Sequence, residues 1–486
     1  MIKNFFYTIL LSVTNILFPL ISFPYASRIL GPVGIGKMQF VVSFSQYFAL
    51  FAALGIPIYG ITQAAKYRQD AKKLANLFGA LTTIFFITSC IVSVIYLLVV
   101  LCVPYFAADR HLYLAAGSLI LLGFCYTDWY YSGIEQFKVI ALRSVLVKSI
   151  CLGLLYFFIR TEADYGKYLL IVLFSILGNH VIGLVTIAAR TRFSFRELQL
   201  REHIQPLLYI FSSTVAASIY TTLDTVMLGF LANNRSVGLY TASIKLTKLV
   251  IPFVTAMGVI LIPSISKGFA RNDLEEVKKS LDNSFYFLVF IAIPAGAGLC
   301  LLAPELIHIF SGDRFTDATL SMQILAWLPL IIGFGHFFAF QILVPAGKNK
   351  EMLLAMLAGV VVFFVLNFLL VPSLQETGAA ITTVATEIVV SVSYFYCIKK
   401  YYSFTYHWKF LFESAFAVLF FFPAVVLIRH ISAEPLMIVP ASVIICAVIY
   451  TAIHLLLFRN HFLFNFIKPF QAKYRSAFRA KPMKNE

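Results

Sequence analysis

Long apolar runs separated by short polar segments recur along the whole chain. A window of about 19 residues finds about fourteen such runs, among them 4–27, 112–134 and 204–232. Most are roughly 18 to 27 residues long, and a helix of that length crosses the hydrocarbon core of a bilayer. The pattern predicts an all-α polytopic membrane protein of about 14 transmembrane helices, whose first apolar run is a retained helix and not a cleaved signal peptide.

Positive charges alternate between the two sides of these predicted helices. With the N-terminus placed in the cytoplasm, the inner loops and the C-terminal tail hold 27 of the 38 Lys and Arg residues, whereas the outer loops hold 8. Cytoplasmic loops of membrane proteins carry an excess of Lys and Arg. A helix count that was wrong by one would scramble the alternation. We therefore expect an even number of helices with both termini in the cytoplasm.

The chain also repeats itself at a spacing of about 206 to 212 residues. The matches are Ile56-Pro57 with Ile262-Pro263, Lys72-Lys73 with Lys278-Lys279, Lys138 with Lys350, Gly166 with Gly378, and Val33-Gly34 with Val237-Gly238. Each repeat holds six helices, an even number, so both repeats enter the membrane in the same direction as parallel lobes. We expect an N-lobe at 1–203, a C-lobe at 204–408, two further helices at 409–458 and a basic cytoplasmic tail at 459–486.

Composition excludes several classes of protein. Hydrophobic residues make up 60% of the chain and charged residues 12%, which is about half the charged share of soluble proteins. The net charge of +16 is scattered over short loops, so membrane lipids, and not nucleic acid, are the expected partners of the basic segments. The seven cysteines lack metal-ligand spacing, and P-loop, GxSxG and HExxH patterns do not occur. We expect no metal, no cofactor and no enzymatic activity.

Seven ionisable residues fall inside the predicted helices: Lys148, Lys245, Lys248, Asp128, Asp224, Glu387 and Glu413. A charge facing lipid at the bilayer centre costs about 2.5–3.5 kcal/mol on insertion scales, so these side chains should face protein or water. Lys245 and Lys248 are three residues apart and therefore share a helix face. Asp224 is predicted at a similar depth to Lys245, which makes a pair feasible, but one aspartate cannot neutralise two lysines. The lysines favour a water-filled lumen. Two polar stripes favour interhelical packing instead. One lies on the first helix (Thr8, Ser12, Asn15, Ser22) and the other on the seventh (Thr214, Ser218, Thr221, Thr225).

Three segments resemble a known family. Ser27 to Gly36, just after the first helix, resembles the R-x-L-G-x-x-G-x-G signature of polysaccharide flippases of the Wzx type, the O-antigen and capsule flippases. Asp128 to Lys138 is similar to the D-W-x-x-Q-G-x-E segment of that family, with Ser132 in place of the usual Gln. Leu223 to Ala242 looks like a region shared across the MATE-like superfamily of multidrug, oligosaccharidyl-lipid and polysaccharide exporters.

The resemblance implies a flippase in the inner membrane of a bacterium. Its implied substrate is undecaprenyl-diphosphate-linked oligosaccharide, moved from the cytoplasmic to the periplasmic face by alternating access through a cationic lumen. A polysaccharide polymerase and chain-length proteins are implied partners, and coupling to H⁺ or Na⁺ is left open. The expected lumen residues are Arg28, Lys245, Lys248, Asp224, Arg143 and Lys148, and the expected gating or coupling residues are Asp128, Glu135 and Glu387.

Alternatives remain for the roles of single residues and for the function of the whole protein. Arg28 is also compatible with an interfacial anchor, Arg143 and Lys148 with snorkelling to the cytoplasmic surface, and Glu387 with a hydrogen-bonded glutamate. Asp128 and Glu135 are compatible with a structural lock at the corner between two helices. At the level of function, a MATE-like drug or cation antiporter and a lipid II flippase are the alternatives. A lumen richer in lysine than in acidic residues argues against cationic substrates.

Overall fold

A computed structural model describes residues 2–189, 199–402 and 407–460 of the 486-residue chain. These ranges contain α-helices and short 3₁₀ and π turns, and no β-strand. The α-helices are α1 (Ile2–Ala53), α2 (Ile56–Tyr67), α3 (Ala71–Cys102), α4 (Arg110–Ala116), α5 (Ser118–Leu121), α6 (Asp128–Gly133), α7 (Phe137–Phe158), α8 (Tyr165–Ala188), α9 (Leu200–Thr222), α10 (Asp224–Leu231), α11 (Asn234–Lys248), α12 (Ile251–Arg271), α13 (Leu274–Leu301), α14 (Ala303–Ser311), α15 (Ala318–Leu325), α16 (Leu328–Phe338), α17 (Asn349–Tyr401), α18 (Trp408–Val418), α19 (Phe421–Ile431) and α20 (Pro435–Ala452). From residue 461 onward, the predicted basic tail lies outside the described residues.

Ten helices in these ranges are long and apolar enough to cross a membrane, or eleven if a bent pair in 110–133 is one span. Two of the ten, Phe6–Ala53 and Asn349–Lys400, are 48 and 52 residues long, about twice the length that one crossing needs. The first is kinked at Gly31, whose φ is 65°, and the second at Gln375, whose φ is 50°. The prediction of an all-α polytopic membrane protein is confirmed. The exact number of 14 spans stays a prediction.

The chain forms two structural units. Unit 1 consists of Met1–Ala242, Phe310–Ala318 and Phe363–Thr382. In it, α1 packs against α3, α7 and α8, around a buried group of rings that includes Phe40, Phe44, Phe106 and Tyr113. The predicted lobe boundaries at 203 and 408 stay predictions.

Two glycines allow backbone segments of unit 1 to cross at close range. A Cβ at Gly36 would collide with the carbonyl oxygen of Asn234, and a Cβ at Gly238 would collide with that of Pro32. Glycines at such a crossing let the backbones approach closely, as small residues do in membrane helix pairs. The first and third family-like segments therefore meet in space, since Gly36 belongs to one and Gly238 to the other.

Unit 2 consists of Ser243–Ile309, Thr319–Val362 and Thr383–Glu486. Here α13 packs against α12, α16 and α18, and α19 packs against α20. The last two helices bury Phe421, Val425 and Tyr450 in one apolar cluster with Leu302 of the segment after α13. The unit is thus held together largely by aromatic and aliphatic contacts between neighbouring helices.

Candidate functional site

An ion pair between a buried arginine and a partly exposed aspartate joins two helices of unit 1. Asp128 is the first residue of α6, and Arg143 lies in the second turn of α7, where its side chain is buried with 5% of the residue exposed. The Nη2 atom of Arg143 donates a hydrogen bond to Oδ1 of Asp128. The guanidinium also lies over the ring of Tyr131, with Cζ 5.7 Å from the ring centroid. Arg143 and Asp128 therefore fix the geometry of the helix corner between them.

Gly183 makes room for this ion pair. A Cβ at Gly183, in α8, would collide with Nη1 of Arg143 and with the Thr127 hydroxyl. Sequence reasoning did not single out Gly183, because its role depends on a side chain 40 residues earlier in the chain. The Arg143 side chain is enclosed by protein, which does not fit the alternative of snorkelling. Its assignment to a substrate lumen stays a prediction.

Glu135 occupies the other side of the same corner. Its backbone has a φ of 59°, in the left-handed region that non-glycine residues seldom adopt. Its Oε1 atom accepts a hydrogen bond of 2.6 Å from Nη1 of Arg68, which follows α2. Both side chains are about half exposed, so the pair contributes little to stability. The two acidic residues of the second family-like segment thus each pair with an arginine from another element.

Lys148 reaches the first helix. It lies five residues after Arg143 on α7, is half-buried, and donates a hydrogen bond to Oδ1 of Asn15 in α1. Its Nζ atom is also 5.7 Å from the centroid of the Phe18 ring. Asn15 belongs to a stripe of polar residues along the first helix, which the sequence displayed without indicating its partner. The structure thus connects that stripe to a lysine, and a role for Lys148 in binding substrate stays a prediction.

Arg28 and Asp224 lie elsewhere in unit 1. Arg28 is exposed, and its side chain crosses Gly312, where a Cβ would come within 3.0 Å of the arginine Cγ.

Asp224 is buried, with 5% of the residue exposed, and accepts a 2.6 Å hydrogen bond from the hydroxyl of Tyr240. The backbone N–H of Thr225 donates a second hydrogen bond, of 2.7 Å, to the same carboxylate. Asp224 and Tyr240 both belong to the third family-like segment, so residues of this segment form the hydrogen bond between α10 and α11. The predicted pairing of Asp224 with Lys245 remains untested, because these residues fall in separate units.

Unit 2 contains Lys245 and Lys248, three residues apart, and Glu387. Lys245 is half-buried and Lys248 exposed near the end of α11, and Glu387 is half-buried on α17. Lys248 is close enough to act electrostatically on the Glu387 carboxylate. With both lysines protonated and the glutamate ionised, the three groups carry a net positive charge. Sequence reasoning named all three residues but did not associate Glu387 with the lysines.

Among the described residues, no group of three or more His, Cys, Asp and Glu side chains is arranged to hold a metal ion. The charged residues above can bind anions, transfer protons or pair with one another.

Comparisons with known proteins agree with this architecture. A protein of Escherichia coli (strain K12) with the provisional name O-antigen transporter is 24% identical over 398 residues, which is 80% of this chain and 94% of that protein. The solved structure of the lipid II flippase MurJ in an inward closed conformation has a TM-score of 0.74 at 12% identity, covering 94% of this chain and 99% of MurJ. An inward-facing multidrug resistance transporter of the MATE family has a TM-score of 0.62 at 17% identity, covering 80% of this chain and 96% of that one. The fold is therefore that of the MurJ and MATE transporters.

Family models assign the chain more directly. The MatE model matches residues 210–369. The model named polysaccharide biosynthesis protein matches residues 1–269, more than half of the chain. The relatives and solved structures named here are transporters and flippases, and none of them is an enzyme. The chain itself is a multi-pass membrane protein. Because the match to residues 1–269 covers more than half of the chain, this chain belongs to the polysaccharide biosynthesis protein family.

Proposed function

We propose that this transporter flips undecaprenyl-diphosphate-linked oligosaccharide from the cytoplasmic to the outer face of the bacterial inner membrane by alternating access. The observation that carries the proposal is the pair of lysines, Lys245 and Lys248, on a helix of a membrane protein whose family is named for polysaccharide biosynthesis. The O-antigen transporter name of the Escherichia coli relative supports the same class of cargo. The repeat unit would be that of an O-antigen, a capsule or an exopolysaccharide.

Fixed cations suit such a cargo for an electrostatic reason. A diphosphate that leaves water for a region of low dielectric loses hydration, and an uncompensated charge there costs many kcal/mol. Ammonium groups already present in the protein replace part of that hydration. Lysine provides point contacts on a flexible stem, which suits a headgroup that must be released as well as bound.

The other charged residues take subsidiary roles in this proposal. Arg28 and Lys148 contact the anionic headgroup or the glycan at different stages of its passage. The ion pairs of Arg143 with Asp128 and of Glu135 with Arg68 keep the corner before α7 rigid during the conformational change. Glu387, beside Lys248, is the residue through which H⁺ or Na⁺ would couple to transport, because its ionisation controls the net charge next to the lysines. A polysaccharide polymerase and chain-length proteins would receive the product.

Removal of the two lysines tests the proposal. We expect Lys245→Ala with Lys248→Ala to abolish surface display of glycan in a host that lacks its own flippase, without loss of the protein from the membrane. Lys245→Arg with Lys248→Arg keeps both charges and should retain part of the display. Lys72→Ala with Lys73→Ala removes an equally charged, exposed pair from the first turn of α3, and should display glycan normally. Normal display by the Lys245 and Lys248 double alanine variant would contradict the proposal.

Export of an organic cation is the second candidate function, favoured by the MatE match over 210–369 and by the glutamate beside Lys248. The two functions differ in the sign of the charge that the cargo carries. Cells that express the chain should show no added resistance to toxic organic cations if it flips a diphosphate. Resistance that is lost in Glu387→Gln, with unchanged glycan display, would favour cation export.

A further inference from the structure

Unit 2 contains a basic cavity that the proposed transport path does not use. It has a volume of about 810 Å³ and lies where the loop between α12 and α13 approaches the segment that precedes α17. Lys278 and Lys348 line it together with the polar groups of Ser266, Asn272 and Tyr402. None of the described residues that line it is acidic. Its chemistry is therefore that of an anion site, and the loops that form it are predicted by charge bias to face the cytoplasm.

A separate apolar groove lies on the same unit. It has a volume of about 430 Å³ and opens between α13, α16, α17 and α18. Phe285, Phe334, Phe338 and Phe395 line it, and Trp408 lies at its edge near the start of α18. Aromatic residues such as Trp and Tyr concentrate at the level of lipid headgroups in membrane proteins. A groove with this lining accepts a hydrocarbon chain.

One face of α17 connects the groove to the cavity. Val392, Phe395 and Lys399 follow one another at spacings of three and four residues, which places them on a single face of α17. Val392 and Phe395 line the groove, and Tyr402, the extended residue directly after α17, lines the cavity. The end of α17 lies about 9 Å beyond Phe395, at a rise of 1.5 Å per residue. Between them, the Nζ atom of Lys399 is 5.0 Å from the centroid of the Phe395 ring. The Tyr402 ring packs edge-on against Phe269, which also lines the cavity.

We propose that this face is a binding site for an anionic phospholipid of the cytoplasmic leaflet, with the phosphate headgroup at Lys278 and Lys348 and an acyl chain in the groove. Basic pockets between transmembrane helices on the cytoplasmic side bind anionic headgroups by this chemistry. A groove of this volume encloses an acyl chain of ordinary length, whereas most of a long polyprenyl chain would lie outside it. This fit selects a phospholipid over the undecaprenyl carrier as the occupant. The site shares no residue with the Lys245, Lys248 and Glu387 group, so the inference is independent of the proposed function.

Lipid titration of the purified full-length chain tests the headgroup half of the site. In detergent micelles, phosphatidylglycerol should bind more tightly than phosphatidylcholine when counted as bound lipid by native mass spectrometry. The variant Lys278→Gln with Lys348→Gln should weaken phosphatidylglycerol binding about tenfold or more, since each lysine near an anionic headgroup contributes about a factor of five. The matched control is Lys279→Gln with Lys350→Gln. These two exposed lysines lie one and two residues after Lys278 and Lys348, respectively, but do not line the cavity. It should bind phosphatidylglycerol like the wild type.

A second pair of variants tests the groove. Val392→Trp places a large ring in the groove and should weaken binding of the intact lipid, but not of its glycerophosphate headgroup alone. Val361→Trp adds the same ring to an exposed position of α17 away from the groove, and should leave lipid binding unchanged.

Three results would overturn the inference. The first is an equal loss of binding in the cavity variant and in the lysine control, which would mean general attraction of the lipid to the basic loops. The second is unchanged binding in the cavity variant, and the third is displacement of phosphatidylglycerol by an equimolar polyprenyl diphosphate, which would assign the site to the carrier. Binding that depends on Lys278, Lys348 and Val392 but resists the polyprenyl diphosphate would support it, whatever the outcome of the glycan display assay.

Discussion

The ion pair between Asp128 and Arg143 allows a quantitative prediction about stability. Nη2 of Arg143 donates to Asp128, whereas the buried Nε and Nη1 atoms have no hydrogen-bond partner among the described residues. Asp128→Ala would therefore leave a buried guanidinium without its carboxylate. Removal of one partner from a buried pair costs about 3–5 kcal/mol, mostly because the remaining charge is uncompensated. Because the Asp128 side chain is 29% exposed, we expect Asp128→Ala to destabilise the folded protein by an amount at the lower end of this range.

Removal of both charges should be much less harmful than removal of one. In Asp128→Ala combined with Arg143→Met, no charge remains buried and the Met side chain fills most of the volume of the arginine stem, so the double variant should recover most of the lost stability. Glu135→Gln is the matched control, because it breaks a pair with Arg68 that is about half exposed, and it should change stability by about 1 kcal/mol or less.

Thermal unfolding in detergent measures these effects. A thiol-reactive dye reports on unfolding, since Cys125 and Cys151 of unit 1 and Cys446 of unit 2 are buried, and the exposed Cys102 adds a constant background. The midpoint should fall clearly for Asp128→Ala, return towards the wild-type value for the double variant, and stay near it for Glu135→Gln. A double variant that is no more stable than Asp128→Ala would refute the reasoning, because it would mean that the unpaired guanidinium is not the source of the loss.

Three further substitutions have expected outcomes. Gly238→Ala places a methyl group against the carbonyl of Pro32 and should lower the thermal midpoint and the amount of protein in the membrane, whereas Gly298→Ala, with open space around the new methyl group, should leave both unchanged. Tyr240→Phe removes the hydroxyl that donates to the buried Asp224 and should cost about 1–3 kcal/mol in the same thermal assay, while Tyr209→Phe, at an exposed position, should cost little. Gly183→Ala should lower the midpoint about as much as Asp128→Ala, because its methyl group would displace the Arg143 guanidinium, and an unchanged midpoint would contradict that placement.

Much of the fold is readable from the sequence because bilayer-spanning helices must be long and apolar. The apolar runs that predict helices at 75–103, 141–160 and 435–458 are uninterrupted, and the structure has α3, α7 and α20 there, with ends that differ by a few residues. The predicted span at 112–134 is instead broken into α4, α5, a 3₁₀ turn and α6, with the backbone extended at Tyr126. Hydropathy averages over such a break, since the residues on both sides of it remain apolar.

The partners of the charged residues were harder to predict. The sequence identified Lys148 and the polar stripe of the first helix separately, but Asn15 and Lys148 are 133 residues apart, and helix packing alone decides that they meet. Asp224 and Tyr240 are only 16 residues apart, yet a turn between α10 and α11 has to bring them together. Burial costs show that an intramembrane charge needs a partner, but they do not identify the partner.

In the proposed function, Lys245 and Lys248 carry a diphosphate cargo across the membrane. The most direct test is reconstitution of the full-length chain in vesicles with a fluorescent polyprenyl-diphosphate-linked oligosaccharide, followed by quenching of the label on the outer face. The wild type should make the label in the inner leaflet accessible to the quencher, whereas Lys245→Ala with Lys248→Ala, reconstituted at equal density, should leave about half of it protected. Equal rates of label exposure for the two proteins would contradict the role of the lysines. A wild type that exposes no label but exchanges organic cations would contradict the proposed cargo.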